Sequence, residues 1–258
     1  MIEETTGHTR AHLHAPLHLT GGSMLRLIGH AENGVTGGRY RDAIVLSRAG
    51  DEVLVVNDVG LERYLYGVVP AEMPAAWPVE ALRSQAVVAR SYALTSRRPS
   101  EPFDVYADTR SQAYRGVTGE AARTTDAVRA TRAIVVKDGT SIARTLFHSS
   151  SGGRTAAVEE VFGGPPVSYL RSVADPYDRL SPHHDWTVEL TDAEIERRLS
   201  TVLAGGLVDV AVVARTASGR AATVRVTGTL GTRDVPGTTA RSLLGLRSAW
   251  FTVVHEEP

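Results

Sequence analysis

Turn-forming residues punctuate this sequence at short intervals, and they limit its fold more than any other feature. Ala49-Gly50-Asp51 separates Ala43–Ser47 from Glu52–Val56, two runs of strand-like pattern, and so predicts a hairpin. Asp138-Gly139 stands between Ile134–Lys137 and Ser141–His148, and Asp-Gly suits the type I′ turn of a tight hairpin. Ser218-Gly219 divides the strand-like runs Leu207–Ala214 and Ala221–Thr227, and a last strand is expected at Trp250–Val254. Helical periodicities lie between these pairs. Leu61, Leu65 and Val68 share one side of a short helix, after which Pro70 and Pro74 are expected to bar regular helix. Val79, Leu82, Ala86, Ala89 and Ala93 recur every three or four residues in a helix from Pro78 to about Ser96. Thr118–Arg132 reads as another helix, Thr191 with Glu194 makes a capping box opening a helix to about Leu203, and a short helix is expected near Thr239–Leu244. Helices interspersed among hairpins imply an α+β fold, with hairpins and mixed sheets and about three to four helices around a cleft.

At 258 residues the chain is long enough for one large domain or two small ones. Residues 1–24 read as an irregular lead-in. His8 with His12 and His14 with His18 have the i,i+4 spacing of helical metal ligands, but Pro16 interrupts a helix through them. The expected domain runs from 25 to 258, with a cleft lobe over about 57–180 and a β-rich remainder. A net charge of −1 leaves no electrostatic footprint for nucleic acid or anionic membrane. No apolar run approaches the roughly 18 residues of a membrane span. Met1 opens no charged-then-apolar leader, so an export signal is expected to be missing from this chain. The absence of cysteine excludes disulfides and thiolate metal sites. Lys137 is the only lysine, which leaves lysine-based covalent chemistry one weak candidate.

Glu72 is the most informative carboxylate. Prolines at 70 and 74 restrict its backbone and Val69, Met73 and Trp77 surround it in sequence, a setting that suits a general acid. The plainer reading is a surface-loop glutamate near a helix start. Gln85 and Tyr92, seven residues apart, share one face of the second helix with Ala81, Val88 and Ala89; they either line a cavity or are satisfied in the core. Arg90 lies on another face. His148 leads into Ser149-Ser150-Ser151-Gly152-Gly153, which lacks the G-x-S-x-G elbow and the phosphate-binding glycine spacings, so a loop offering hydroxyls and amides to a substrate fits better. His183, His184 and Asp185 are adjacent, and neighbours in a strand point to opposite faces, which disfavours a metal site there.

The stretch from Asn57-Asp58-Val59-Gly60-Leu61 through Gly67-Val68-Val69-Pro70-Ala71-Glu72-Met73-Pro74 to Gln85-Ala86-Val87-Val88-Ala89-Arg90-Ser91-Tyr92 resembles the signature of the SpoIID/LytB family, the stage II sporulation protein D group. Asp108-Thr109-Arg110-Ser111-Gln112-Ala113-Tyr114, Phe147-His148-Ser149-Ser150-Ser151-Gly152-Gly153, Tyr169-Leu170-Arg171-Ser172-Val173 and Leu246-Arg247-Ser248-Ala249-Trp250-Phe251 are similar to later family segments, so the likeness covers roughly residues 38–254 in order. The resemblance implies a bacterial cell-wall protein acting outside the cytoplasmic membrane, on peptidoglycan glycan strands stripped of stem peptides. It implies a lytic transglycosylase with Glu72 as the catalytic residue, and glycan contacts from Gln85, Arg90, Tyr92, His148, Ser149, Ser151 and Gly152. Some members carry a His/Cys metal site with a cysteine immediately before the position of Gln112; here that residue is Ser111, so no metal and no cofactor is expected. Phe162 lies where the family usually has a nearby tryptophan. The alternative within the same family is a glycan-binding enhancer of a cell-wall amidase, without turnover of its own. Hydrolysis with Asp175 or Asp178 as a second carboxylate is a third option. Involvement of sporulation and the oligomeric state are not specified by the sequence.

Overall fold

A computed structural model describes residues 2–6, 9–22, 24–29 and 35–255, with side chains described from His14 onward. The fold is α+β, in two compact units, residues 1–147 and 148–258.

The first unit opens with strands where an irregular lead-in was expected. β1 (Ile2–Thr6) and β2 (Thr9–Leu13) pair antiparallel, and β3 (Leu17–Thr20) pairs with a later strand. The β-branched residues Ile2, Thr5, Thr6 and Thr9 suit that extended backbone better than a loop. His8 and His30 lie outside the described residues; His18 sits in β3, so its spacing from His14 is not helical. β4 (Leu25–Leu27) pairs with β5 (Gly38–Tyr40), and the expected hairpin follows as β6 (Ala43–Ala49) and β7 (Glu52–Asp58). Its register runs from Ala43↔Asp58 to Ala49↔Glu52, closing on Gly50 and Asp51.

Three helices form the centre of this unit: α1 (Leu61–Glu72), α2 (Val79–Thr95) and α3 (Ala122–Ala130). α1 corrects the expectation that Pro70 ends it. The ring sits in the last turn, where it deprives Tyr66 of one amide partner, yet the helix runs on to Glu72. The stop comes from Pro74, which forces Met73 into extended backbone (φ −141°, ψ 134°). Leu65, Val68 and Val69 of α1 pack against Ala86, Ala89 and Ala93 of α2 and Val128 of α3, all buried. The alanine stripe brings α1 and α2 close together. The predicted long helix at 118–132 is shorter because residues 116–119 form a 3₁₀ turn. The hairpin after it keeps only β8 (Lys137–Asp138) and β9 (Ser141–Ile142), paired around Gly139 and Thr140.

The second unit contains α4 (Val158–Phe162), α5 (Asp192–Leu199), an antiparallel meander of β10 (Leu207–Arg215), β11 (Ala221–Gly228) and β12 (Gly231–Pro236), then α6 (Gly237–Leu244). Val224 and Val226 point inward from β11 while Arg225 points out, the period of two expected of a one-sided sheet. They join Leu199, Val210, Val235, Ala240, Leu244 and Phe251 in the core of this unit. The capping box at Thr191 and Glu194 is present, but α5 ends at Leu199 and residues 250–254 are not a strand. No described helix is long and apolar enough to cross a membrane.

Gly67 sits on the α1 face that meets Tyr114. A Cβ there would lie 2.8 Å from the Tyr114 ring and 2.9 Å from the Gly116 carbonyl oxygen. Gly67→Ala should therefore destabilise the first unit by about 1–3 kcal/mol, the usual cost of overpacking. Denaturant unfolding of the variant measures this, and an unchanged midpoint would show that Tyr114 gives way freely.

Candidate active site

Glu72 is the last residue of α1 and half-buried. Its Oε1 accepts the Ala113 amide hydrogen at 2.8 Å. That amide is held in place from below. Gln112 is 1% exposed; its Nε2 donates to the Ala89 carbonyl at 3.3 Å, and its Oε1 accepts from the Tyr64 hydroxyl at 3.4 Å. Tyr114 donates its hydroxyl to Asn57 Oδ1 at 2.7 Å, and the Asn57 amide spans the carbonyls of Arg41 and Ala43. The segment before and after Ala113 is thus pinned to α1, α2 and the β6–β7 hairpin. Burial, reinforced by Tyr114 and by the charge of Glu72, pushes the Tyr64 phenol up, so it remains a proton donor at neutral pH.

The loop joining α1 to α2 is also fastened. Arg123 donates to the carbonyls of Ala75 (2.7 Å) and Trp77 (3.1 Å), while the Trp77 side chain stays exposed. Gln85 is buried, and its Nε2 has no hydrogen-bond partner among the described residues. Tyr92 is half-buried, edge-on to Phe147 at 6.1 Å.

Arg90 occupies a different place from the one expected. It is 1% exposed, and its five N–H groups are all committed inside the unit. Nε and Nη2 form a fork on Glu62 at 2.8 Å each; Nη1 reaches the carbonyls of Ala86 and Ile134, and Nη2 that of Val128. Arg90 is a strut tying α1, α2 and α3 together, with no donor left for a ligand. Burial favours a neutral Glu62, but the Arg90 hydrogen bonds and charge outweigh it and hold the carboxyl below its ordinary range.

In the second unit, the 149–153 loop wraps around one buried carboxylate. Asp178 accepts from Ser150 Oγ (2.9 Å), the Ser151 amide (2.6 Å) and the Gly152 amide (2.9 Å), and its Oδ2 lies 2.6 Å from His184 Nδ1. Ser151 is buried, donating its hydroxyl to Asp175 at 2.9 Å and accepting the Gly153 amide. Gly152 adopts φ +72°, and a Cβ there would come within 3.2 Å of Trp250. Ser151 and Gly152 therefore shape the loop, while His148 and Ser149 are exposed at its start. Asp178 is not a free second carboxylate. Burial works against its charge, yet His184 and the loop donors prevail and hold it well below the usual carboxylate range. His183 and His184 lie in a turn and not in a strand, so the strand argument for opposite faces does not apply; both line one cavity of the second unit, with His183 Nδ1 3.2 Å from Arg247.

The metal site of some family members does not fit these residues. Ser111 presents a neutral hydroxyl in place of a thiolate, and that oxygen accepts the Tyr106 amide at 3.1 Å.

The family model described as "SpoIID: Stage II sporulation protein" matches residues 49–137, the segment that carries Glu72 and its supports. Stage II sporulation protein D of Bacillus subtilis is 31% identical over 214 residues, 76% of this chain and 61% of that protein. The chain belongs to the SpoIID/LytB family. An uncharacterized protein of Brachyspira hyodysenteriae is 38% identical over 149 residues (56% of this chain), and a Bacillus subtilis protein named amidase enhancer is 35% identical over 134 residues, 52% of this chain and 18% of its own. This SpoIID-family chain spans 39% of the Brachyspira protein and 61% of the sporulation protein.

Sequence reasoning missed the supports. Ala113 acts through its backbone, which no side-chain pattern reveals, and Gln112 stood only as part of a family-like segment. Asp178 and His184 were visible as titratable residues, but their pairing with the serine loop depends on tertiary structure.

Two outcomes follow. Arg90→Ala strands the Glu62 carboxylate and takes a donor from the carbonyls of Ala86, Val128 and Ile134, and should cost about 3–5 kcal/mol in the unfolding free energy of the first unit, with Arg90→Lys recovering little because the fork is lost. The second unit should have a pH window of stability. Asp178, depressed in the folded chain, contributes above its unfolded value of 3.8 and loses that contribution as pH falls through the folded value. His184 is raised from 6.5, chiefly by its Asp178 hydrogen bond, so its contribution is complete below 6.5 and disappears as pH rises through the folded value. Thermal melts against pH check this: His184→Gln should flatten the alkaline limb, and an unaltered limb would contradict the assignment.

Proposed function

We propose that this chain is a peptidoglycan lytic transglycosylase that acts on glycan strands outside the cytoplasmic membrane, with Glu72 as general acid and then general base. The observation that carries the reading is a half-buried carboxylate at the end of α1, held through one oxygen by the Ala113 amide. Family membership and the name of the sporulation relative support a cell-wall role.

Ordinary glycosidases need two carboxylates flanking the bond. A transglycosylase needs one. Glu72 gives its proton to the oxygen linking N-acetylmuramic acid to N-acetylglucosamine, and the glucosamine end departs with it. The carboxylate left behind takes the proton of the muramic C6 hydroxyl as that oxygen closes on C1, forming the 1,6-anhydro ring and restoring the acid. The C6 hydroxyl belongs to the same sugar, so it replaces water at high effective concentration. Trp77, exposed beside this end of α1, offers a flat apolar surface to a pyranose ring, with half-buried Tyr92 as a further contact, while Gln85 Nε2 lies enclosed. His148 and Ser149 are the glycan donors of the second unit, with Ser151 and Gly152 shaping their loop. The engagement of Asp178 by four donors argues against a hydrolytic pair that includes it.

The amidase enhancer relative supports a second reading, a glycan-binding activator of an amidase. One experiment separates the two. Purified strands with and without stem peptides are incubated with the protein and the products weighed. Anhydromuramic ends on the peptide-free strand, abolished by Glu72→Gln with the fold intact, are the expected result. Absence of cleavage together with stimulation of an added amidase would favour the enhancer. Cleavage that persists in Glu72→Gln would remove Glu72 from its role.

A further inference from the structure

The second unit contains a cavity of about 1440 Å³, of which the reading above uses only the serine loop. It exceeds the roughly 300–1,000 Å³ usual for small-molecule sites, which leaves room for a segment of a polymer. Ser149, Ser150, Gly152 and His184 line it together with the half-buried rings of Trp186 and Trp250. His184 is set apart by its fixing. Its Nδ1 is tied to the Asp178 carboxylate at 2.6 Å, and that carboxylate also gathers the serine loop. Gly153, with no side chain, passes so close that a Cβ would lie 3.5 Å from His184 Cε1. The ring is 29% exposed, and Nε2 has no hydrogen-bond partner among the described residues. An Asp-oriented imidazole that lines a cavity and has one nitrogen unpartnered is prepared to bond a ligand.

We infer that His184 is a ligand-binding residue of this cavity, bonding through Nε2 the acetamido group of an N-acetylated glycan. Three features select that group. Aromatic rings beside hydrogen-bond donors match an acetamide, whose methyl packs on a ring while its oxygen accepts a proton. Asp185, Glu189, Asp192 and Asp209 line the cavity together with Arg215, Arg247 and His255, the last paired with Asp209, so neither sign of charge prevails and a neutral group suits the lining. An acetamide carries both an N–H and a carbonyl oxygen, so Nε2 can bond it as acceptor or as donor.

The inference rests on the glycan reading above, and the test keeps the two apart. Binding of peptide-free glycan strands is measured by calorimetry, alongside the same strands after chemical N-deacetylation, for the full chain and for His184→Gln and His184→Phe. The parent chain should prefer the N-acetylated strand about tenfold, the worth of roughly one good hydrogen bond, and both variants should lose the preference. Circular dichroism and thermal melts establish that the variants are folded; Ser149→Ala, on the same cavity wall, is a second probe expected to weaken binding less. A parent that binds both strands equally, or a folded His184→Phe that keeps the preference, overturns the His184 assignment while leaving the glycan reading standing. A parent that binds neither strand overturns both.

Discussion

The first unit depends on a buried guanidinium. Arg90 is almost fully enclosed, and a cation so placed is tolerable only when every donor is met. The Glu62 fork and the carbonyls of Ala86, Val128 and Ile134 meet them, and those partners come from α1, α2, the end of α3 and the chain beyond it. The angle of α1 is therefore fixed near its first turn by charge and along its length by Leu65, Val68 and Val69 packed on alanines. The position of Glu72, ten residues after Glu62, follows from both. Ala113 then fixes one oxygen of the carboxylate, and Gln112 and Tyr114 fix Ala113. Each link in that series is a hydrogen bond to a residue whose own position is set by packing, which is how a side chain keeps one geometry at the surface of a fold.

The second unit uses the opposite charge for the same purpose. Asp178 is a buried anion satisfied by two amides, a hydroxyl and an imidazole, and the loop closes around it because Ser150, Ser151 and Gly152 are consecutive in sequence. A stretch of small residues that looks featureless in sequence is thereby given one conformation. Gly152 and Gly153 serve backbone geometry and close approach to Trp250 and His184, not phosphate binding.

Local signals were legible wherever local physics decides. The β6–β7 hairpin follows from Ala49-Gly50-Asp51, α2 from its apolar period, and α5 from the Thr191–Glu194 capping box. Where tertiary contacts compete, the sequence misled. Pro70 was read as a barrier although α1 accommodates it, and Trp250–Val254 was read as a strand although that segment packs without a ladder partner. At the candidate site, Glu72 was identifiable from its proline frame and its family-like surroundings. Arg90 was misplaced for a physical reason: helical spacing puts a residue on a face but does not say whether that face is covered, and Glu62 sits 28 residues away in sequence. The Ala113 amide and the Asp178 carboxylate could not be singled out, because their importance lies in what folds onto them.

The central claim is that one anchored carboxylate serves both proton transfers and that an internal hydroxyl, not water, completes the reaction. Cleaving peptide-free glycan strands in ¹⁸O-labelled water tests this most directly. The account predicts a new muramic end without label and lighter than the hydrolysed end by one water. An end that carries the solvent oxygen would contradict it, and would require a second carboxylate to activate that water.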